Sequence, residues 1–393
     1  MENVSSSNGL EKHPKLRFPG FNEPWKLYKA EDLFRNVTDK NHADETVLTI
    51  IQGRGTMPRE QAGRNIHYDE KSLSGYKRTE RGDFIIHLRS FEGGLEMANE
   101  TGIVSPAYTI LRCNKPHSSL FYNAYFHTDE FINHVLAKSV EGIRDGRQIS
   151  YEAFKWLGIP YCCPAEQAKI HGLFETLDLK IDKQRQLVDS LKKYKRGLLR
   201  ATFSQEVHLS NSATWERRKF REIASLRRAK YTPSHADSRA CVELEHIEQQ
   251  TGRLINYVDS AEQNSIKSVF KQGDVLFGKL RPYLRKYCLP QFDGVCSSEI
   301  WVLVPETCVV SEYLFYLVQS DEFLAAANIS SGTKMPRAEW SKVSNEDYFI
   351  PLISEQKRIA RMLSIVDHRI TTASEMLSTL ERMRKSFLQQ IFI

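Results

Sequence analysis

The feature that most constrains this chain is an internal repeat whose two copies are offset by roughly half of its length. One segment opens at Glu166-Gln167 and a second at Glu355-Gln356, and the two align without a gap at a shift of about 190 residues. Matched positions include Ile170 with Ile359, Asp178 with Asp367, Lys195 with Arg384, Leu199 with Leu388, and Phe203 with Phe392. A repeat of this length predicts a duplicated domain.

The duplication continues ahead of these segments. Gly82-Asp83 precedes a short apolar run, and Gly273-Asp274 precedes another at nearly the same shift. Further marks recur in the same order: Trp25 with Trp215, Asp129-Glu130-Phe131 with Asp321-Glu322-Phe323, and Ile159-Pro160 with Ile350-Pro351. The halves diverge between the marks, so we expect one scaffold that is used twice and carries two different surfaces.

Each repeated segment is predicted to be a long helix, because its apolar residues recur at alternating steps of four and three. The predicted seam consists of Ile170, Phe174, Leu177, Ile181, Val188 and Leu191 in the first helix and Ile359, Leu363, Val366, Ile370, Leu377 and Leu380 in the second. Ser354 is expected to cap the second helix. A single apolar stripe needs a partner, so we expect the two copies to pair antiparallel about a pseudo-two-fold axis.

The predicted fold class is α+β, with two globular domains joined by two long antiparallel coiled-coil helices. Short β-like runs broken by Gly, Pro or Asn favour a mixed or antiparallel sheet in each domain. Helix-like stretches occur at 128–138 and 311–327. The predicted boundaries are 1–13 for a flexible tail, 14–160 for the first domain, 161–205 for the central helix, 206–350 for the second domain and 351–393 for the C-terminal helix.

Composition excludes several classes of protein. A chain of 393 residues suits two domains, and no apolar run approaches the roughly 20 residues of a membrane span. The polar start lacks an apolar signal segment, so a cytoplasmic protein is expected. There is no Cys-x-x-Cys, phosphate-binding loop or Asp/Asn-Pro-Pro-aromatic run, and the histidines are dispersed. We therefore expect no metal site, and no catalytic residues in this chain alone.

Basic and amide side chains in the divergent parts of both halves give a more useful signal. A single one of them is most simply a solvated surface charge, but Arg and Lys clamp phosphates while Arg and Asn read base edges. Their clustering predicts DNA binding, which the net charge of +6 permits. The candidates are Arg54, Arg59, Arg64, Asn65, Lys77, Arg78 and Arg89 in the first domain and Arg217, Arg218, Lys219, Arg227, Arg228, Lys279, Arg281, Arg285, Lys334 and Arg337 in the second.

With these residues in view, the sequence resembles the specificity subunit of a Type I restriction–modification system. The features that carry the resemblance are the two helical repeats, from Glu166-Gln167 to Phe203 and from Glu355-Gln356 to Phe392, together with the segments GIVSPAYTIL at 102–111, LFGKLRPYL at 276–284 and GVCSSE at 294–299. The proline before each helix is displaced between the copies, which leaves the start of each helix open.

The resemblance implies two target-recognition domains that read a bipartite, asymmetric DNA sequence. It also implies partners: modification subunits, two in number, that methylate adenine with S-adenosylmethionine, and restriction subunits that use ATP and Mg. No cofactor is then expected in this chain. Two alternatives stay open, namely a stand-alone DNA-binding regulator and a coiled-coil scaffold that never touches DNA. A variant of the main hypothesis is a specificity subunit for a different methyltransferase-containing defence system.

Overall fold

The computed structural model describes residues 11–62, 70–142, 147–204, 215–329 and 335–392. Three candidate DNA-binding residues, Arg64, Asn65 and Lys334, lie outside these ranges. The chain divides into two compact units. Unit 1 comprises Met1–Lys183 and Leu377–Ile393, and unit 2 comprises Gln184–Met376. This division cuts through both long helices, whereas the domain boundaries predicted from the sequence lie at the ends of those helices.

The first half of the chain contains thirteen described strands and five helices. The strands are β1 (Glu11–Lys12), β2 (Trp25–Lys29), β3 (Phe34–Val37), β4 (Leu48–Ile51), β5 (Gly55–Pro58), β6 (Lys77–Thr79), β7 (Phe84–Ile86), β8 (Glu96–Met97), β9 (Gly102–Val104), β10 (Thr109–Cys113), β11 (Val140–Glu141), β12 (Gln148–Ile149) and β13 (Gly158–Tyr161). The helices are α1 (Ala30–Leu33), α2 (Ser90–Gly93), α3 (Ser119–Phe126), α4 (Tyr151–Phe154) and α5 (Pro164–Phe203).

The second half contains eleven described strands and five helices. The strands are β14 (Glu216–Lys219), β15 (Ala224–Leu226), β16 (Lys230–Tyr231), β17 (Ala240–Val242), β18 (Val258–Asp259), β19 (Lys267–Phe270), β20 (Val275–Gly278), β21 (Tyr287–Cys288), β22 (Gly294–Cys296), β23 (Ile300–Pro305) and β24 (Asp347–Ile350). The helices are α6 (Phe220–Ile223), α7 (Ser311–Leu317), α8 (Asp321–Asn328), α9 (Trp340–Val343) and α10 (Ile353–Phe392).

The sheets repeat as the sequence does, and the α+β class is confirmed. Unit 1 has a four-stranded sheet of order β3-β10-β7-β8, and unit 2 has one of order β15-β23-β20-β21. The strand just before each long helix also pairs in the same way, β13 with β2 and β24 with β14. Unit 2 adds a five-stranded sheet in which β17 and β22 run parallel, so its strands are mixed.

Each long helix is tied to the domain before it by the Glu-Gln pair of the repeat. Gln167 is fully buried, where its Oε1 accepts from Ser118 N (2.8 Å) and its Nε2 donates to Cys162 O (2.9 Å). Gln356 does the same in unit 2, since it accepts from Val310 N and donates to Pro351 O. The amide is needed because only a group with both an acceptor and a donor satisfies both backbone partners.

The starts of the two helices correspond. Cys163 O accepts from the N–H groups of Glu166 and Gln167, and Leu352 O accepts from those of Glu355 and Gln356. Ser354 lies inside the first turn of α10, one residue past its start, so the predicted capping role of this serine is wrong. Pro164 occupies the first position of α5, where its missing N–H costs nothing.

Within each unit the two long helices pack antiparallel. In unit 1, Ile170 and Phe174 of α5 share a core with Ile391 and Phe392 of α10. In unit 2, Leu199 of α5 shares a core with Ile359 and Leu363 of α10. Of the predicted seam residues, Leu191, Leu377 and Leu380 are half-buried and the others are buried, namely Ile170, Phe174, Leu177, Ile181, Val188, Ile359, Leu363, Val366 and Ile370.

Polar contacts between the two long helices also occur twice, with the roles of α5 and α10 exchanged. Arg384 donates to Asp178 through Nε (2.5 Å) and NH2 (3.1 Å) in unit 1. The repeat equivalents in unit 2 form the same pair, with Lys195 Nζ 2.6 Å from Asp367 Oδ1. Near the midpoint of each helix, Gln184 Nε2 donates to the backbone oxygen of its own equivalent, Ala373, at 2.9 Å. Such reciprocal contacts are those of a pseudo-two-fold pairing.

Candidate nucleic-acid interface

The clearest exposed arginine in unit 1 lies on the tight turn between β4 and β5. Arg54 is flanked by Gly53 and Gly55, which have φ values of +74° and +77°. A Cβ on Gly55 would lie 2.4 Å from Met97 O, so only glycine fits there. The turn therefore presents the Arg54 side chain to solvent on a backbone that has little freedom.

A buried carboxylate holds this turn from behind. Glu96 is fully buried on β8, and its two oxygens accept from Gly53 N (2.6 Å) and Gly55 N (2.9 Å). Oε1 of Glu96 also lies 3.2 Å from His127 Nε2, while Nδ1 of His127 lies 2.8 Å from Asn123 O. Both ring nitrogens thus face acceptors, an arrangement that favours the imidazolium, in which both nitrogens donate.

The charges in this network adjust to one another. Burial by itself lowers the pKa of His127, but the hydrogen bonds to Glu96 and Asn123 outweigh it and the pKa is raised. Burial by itself raises the pKa of Glu96, but the hydrogen bonds from His127 and the glycine N–H groups leave that pKa lowered. Asn99 adds a second support, since its Nδ2 donates to Arg54 O at 2.7 Å.

A second exposed arginine lies beside this turn. Arg89 follows β7 and precedes the single turn of α2. A Cβ on Gly93, at the end of α2, would lie 2.1 Å from Nε2 of Gln52, which places α2 against the β4–β5 turn. Arg54 and Arg89 therefore project from two neighbouring turns of unit 1.

Unit 2 carries an arginine at a similar place, one residue further along the repeat. Arg281 lies three residues past β20, as Arg89 lies three residues past β7, and each immediately precedes a short helical turn. Arg281 is exposed and has a φ of +50°, which is unusual for a residue other than glycine. Its backbone N donates to Pro336 O at 2.7 Å, which helps to hold this conformation.

Two more candidates are gathered around Arg281. The Lys279 N–H donates to Glu299 O, and Lys279 O accepts from Ala338 N. Arg337 makes a two-pronged contact with Glu299, at 3.0 and 3.2 Å. The segments 279–281, 299 and 335–338 thus form one polar surface in unit 2, which includes an acidic side chain able to accept from a cytosine amino group.

Other predicted candidates are already engaged within the fold. Arg227 donates through two nitrogens to the buried Asp274 (2.6 and 2.7 Å), and Arg78 pairs with Glu45 and Glu80. The Lys77 ammonium donates to Tyr108 O at 2.6 Å, and burial, with a smaller effect of Lys40, lowers its pKa. Arg227 in particular serves the structure of unit 2, because its loss would leave a buried carboxylate unpaired.

The remaining described candidates lie at the surface with varied partners. Arg217 and Lys219 lie near Asp347, Arg218 pairs with Glu216, and Arg285 lies 3.5 Å from Asp321. Arg59 is half-buried, and Arg228 is exposed. Exposed ion pairs are weak, so a phosphate can replace the carboxylate in most of them.

Sequence reasoning missed Glu96, Asn99, His127 and Glu299, the side chains that position or accompany the exposed arginines. Glu96, Asn99 and His127 lie 43 or more residues from Gly53, and no local pattern marks them. Glu299 is separated from Arg281 by β21 and β22, and in the sequence its segment supports only the resemblance. Across the described ranges, no group of three or more His, Cys, Asp or Glu side chains could hold a metal ion. In the same part of the chain, no helix is both long enough and apolar enough to cross a membrane.

The chain is similar to known proteins in a family model, in sequence and in fold. Residues 213–382 match the family model described as Type I restriction modification DNA specificity domain. The specificity subunit of the Type I restriction enzyme EcoDI from Escherichia coli is 24% identical over 191 residues, which cover 47% of this chain and 42% of that protein. The specificity subunit of the Type I restriction enzyme HindI from Haemophilus influenzae is 28% identical over 135 residues, which cover 32% of this chain and 29% of that protein.

The matches to solved structures extend much further along the chain. The HsdS subunit from Thermoanaerobacter tengcongensis is 16% identical with a TM-score of 0.51, and the match covers 97% of this chain and 98% of that one. The S subunit of a Type I restriction–modification system from M. genitalium is 14% identical with a TM-score of 0.55, over 97% and 99% of the two chains. At these identities the likeness establishes the fold.

The chain spans less than half the length of either curated relative that it matches, whereas the fold match is nearly complete. The family model lies on the second half, where the LFGKLRPYL and GVCSSE segments occur. Residues 213–382 therefore match the Type I restriction modification DNA specificity domain, and the resemblance of this chain to Type I specificity subunits is confirmed.

Proposed function

We propose that this chain is the sequence-specific DNA-binding subunit of a Type I restriction–modification complex and is not catalytic alone. Each unit reads one half of a bipartite target, and the two halves differ in sequence. The observation that carries the proposal is the pair of exposed arginines, Arg89 and Arg281, that follow equivalent strands in the two units. An arginine on a rigid backbone is suited to donate two hydrogen bonds to guanine in the major groove.

The asymmetry of the target follows from the neighbours of these arginines. Arg89 lies beside Arg54 and the turn held by Glu96, while Arg281 lies beside Lys279 and Glu299. Two different sets of donors and acceptors read two different base sequences. A bound duplex would therefore present unlike half-sites, with unspecified bases between them.

The partners follow from the family. Modification subunits, two in number, would methylate adenine within the half-sites with S-adenosylmethionine, and they would flip the base out of the duplex to do so. Restriction subunits would use ATP and Mg. These cofactors would be bound by the partner subunits, in the cytoplasm, and this chain would recognise the DNA sequence to which the complex binds.

A methylome tests the proposal directly. The chain is co-expressed with its modification subunit in a host without DNA methylation, and the modified bases are sequenced. We expect a bipartite adenine-methylated motif that is absent when this chain is omitted. A stable complex that methylates no motif would contradict the proposal and favour a coiled-coil scaffold, and tight sequence-specific binding without any partner would favour a regulator.

Two matched variants sharpen the experiment. Arg89→Gln should relax the motif at one position of one half-site, and Arg281→Gln should do so in the other half-site, each by about 1–3 kcal/mol of discrimination. Each variant is the control for the other, because both arginines are exposed and lie just after equivalent strands. If both variants altered the same half-site, or neither altered the motif, the assignment of one arginine to each half-site would be wrong.

A further inference from the structure

A basic cleft lies within unit 2, between the paired long helices and the loop that follows β17. It has a volume of about 440 Å³, and six cationic side chains line it: Lys192, Lys195, Arg196, Arg200, Arg253 and Arg285. Three carboxylates also line it, those of Glu248, Asp321 and Asp367. The cleft is thus in surplus by three positive charges, and its volume is that of a small-molecule site.

Most of this positive charge is not neutralised within the fold. Lys195 is 6% exposed and pairs with Asp367 at 2.6 Å, and Arg285 lies 3.5 Å from Asp321. Lys192, Arg196 and Arg200 follow one another at steps of four, so they share one face of α5. Among the described residues, no ion pair engages these three or Arg253.

The walls of the cleft are rigid and include strained backbone. Gln250 (φ +65°) and Arg285 (φ +53°) are both in the left-handed region, and Gln250 N donates to Arg285 O at 2.9 Å. Tyr287 supports them from behind, because its hydroxyl donates to Gln250 O at 3.2 Å. Residues other than glycine persist in this region only when their surroundings hold them there, and such strain is concentrated at binding sites.

A buried side chain adds an independent observation. Gln319, 3% exposed, lines the cleft and donates from Nε2 to Phe315 O at 2.9 Å. That bond fixes the orientation of the amide, so Oε1 points away from Phe315 O. Oε1 is buried and has no hydrogen-bond partner among the described residues. A buried acceptor without a donor is costly, so a phosphate compound that also carries a hydroxyl or amino donor would suit the cleft better than phosphate alone.

The repeat does not carry this charge pattern into unit 1. The positions of α10 that match Lys192, Arg196 and Arg200 are Glu381, Lys385 and Gln389, which together carry no net charge. The cleft is therefore a specialisation of unit 2, and the duplicated scaffold does not require it.

We propose that the basic cleft binds phosphate groups through Lys192, Arg196, Arg200 and Arg253. Two sources share this chemistry: the sugar–phosphate backbone of bound DNA, in which case the inference rests on the proposed function, and a soluble phosphate compound of nucleotide size. Arg and Lys clamp phosphates without reading bases, so in neither case does the cleft select the target sequence.

A double variant with a neighbouring control tests the cleft. Arg196→Gln/Arg200→Gln removes two exposed cations, and Lys193→Gln removes one exposed cation on the same helix that does not line the cleft. The full chain, in complex with its modification subunits, is titrated with pyrophosphate and with ATP, and separately with duplex DNA at several salt concentrations. Retained thermal unfolding of each variant verifies that the fold is intact.

For the DNA source, we expect the slope of log K against log salt to fall by about 1.8 in the double variant, since each phosphate contact contributes about 0.9. For the soluble source, we expect pyrophosphate or ATP affinity to fall at least tenfold with the DNA slope unchanged. In both cases Lys193→Gln stays within twofold of wild type and the methylated motif is unchanged. Because the titration with phosphates needs no DNA target, it also separates failure of the cleft from failure of the proposed function.

The proposal is overturned if the double variant changes neither the DNA salt slope nor the affinity for pyrophosphate and ATP. It is also overturned if Lys193→Gln lowers either quantity as much as the double variant does, because the effect would then come from surface charge in general.

Discussion

At the scale of the residue, the side chains that matter most for the proposed recognition in unit 1 are those that hold the turn between β4 and β5. Glu96 accepts from two glycine N–H groups and from His127, and it is fully buried. A buried carboxylate without these donors would cost far more than it contributes. Its position behind Arg54 explains why the turn can be both exposed and fixed.

We expect Glu96→Gln to destabilise unit 1 and to weaken recognition of one half-site. The NH2 group of the glutamine would face one of the N–H donors that now donate to Glu96. Two donors facing each other in a buried place lower the free energy of unfolding by an amount on the order of 3 kcal/mol. Urea unfolding measures the first effect, and the methylated motif measures the second. Glu92→Gln, on the nearby exposed turn of α2, is the control. Unchanged methylation at every position of both half-sites would remove Glu96 from recognition.

The same network predicts a dependence on pH. The pKa of His127 is raised in the fold, so its contribution is complete below its unfolded pKa and is lost as pH rises through the folded value. Arg384 also faces this network and opposes protonation of His127, and the pKa of the neighbouring His87 is lowered chiefly by burial, with His127 adding to the effect. The stability of wild type should therefore fall more than that of His127→Gln as the pH is raised above about 6.5. Parallel curves for the two proteins would contradict this.

At the scale of the element, the repeated ion pairs of the helices are alike in sequence but unequal in burial. Lys195 is nearly buried where it meets Asp367, whereas Arg384 and Asp178 are 35% and 48% exposed. Exposed pairs contribute about 0–1 kcal/mol, while breaking a buried pair leaves a charge that water cannot reach. Tyr316 adds to the buried pair, since its hydroxyl donates to Asp367 Oδ2 at 2.9 Å.

One substitution at two equivalent positions tests this difference. Asp367→Asn should lower the free energy of unfolding by about 3–5 kcal/mol, because the Lys195 ammonium loses its counter-charge in a buried place. Asp178→Asn should lower it by about 1 kcal/mol or less. Thermal unfolding of the two variants gives the comparison, and equal losses would show that burial does not decide the contribution of these pairs.

At the scale of the whole molecule, the paired helices are proposed to set the length of the unspecified spacer in the target. Removal of one heptad from both helices, in register, shortens the pair by about 10.5 Å. At about 3.4 Å per base pair this corresponds to roughly three base pairs. Affinity should fall too, since three base pairs rotate one half-site by roughly 100°.

The methylome of the shortened protein reports the spacer length. A heptad removed from α5 alone, which breaks the seam, is the control and should abolish the complex. If the shortened protein methylated the original motif with its original spacing, the helices would not act as a ruler.

The helices could be predicted from sequence because their signal is periodic and appears twice. The α5 and α10 spans fall inside the predicted 161–205 and 351–393. The stretch 128–138 was harder, since it forms a π-helical turn (Glu130–Val135) followed by a 3-10 turn, and 311–327 is split into α7 and α8. Local apolar spacing does not distinguish these from one regular helix.

The recognition surfaces could be predicted only in part, because what decides them is contact across the chain. Arg89 and Arg281 are exposed on fixed turns, whereas Arg227 forms a buried pair with Asp274 that nothing in its neighbours reveals. In unit 1 the equivalent carboxylate is that of Asp83. It pairs with Arg112, which lies on β10, a strand that does not correspond to the position of Arg227. The repeat in the sequence therefore predicts that Asp83 and Asp274 are equivalent, but it does not predict which arginine pairs with each.

Phe392 has a consequence for synthesis on the ribosome. Its ring is fully buried in unit 1 against Trp25, Phe121 and Tyr125, yet it is translated only after all of unit 2. Unit 2 is continuous along the chain and can complete its core as it emerges. Unit 1 begins to emerge first, but its aromatic core is incomplete until Phe392 has been translated. A premature stop codon just before Phe387 would thus leave unit 2 complete. It would destabilise unit 1, although most of unit 1 is translated first.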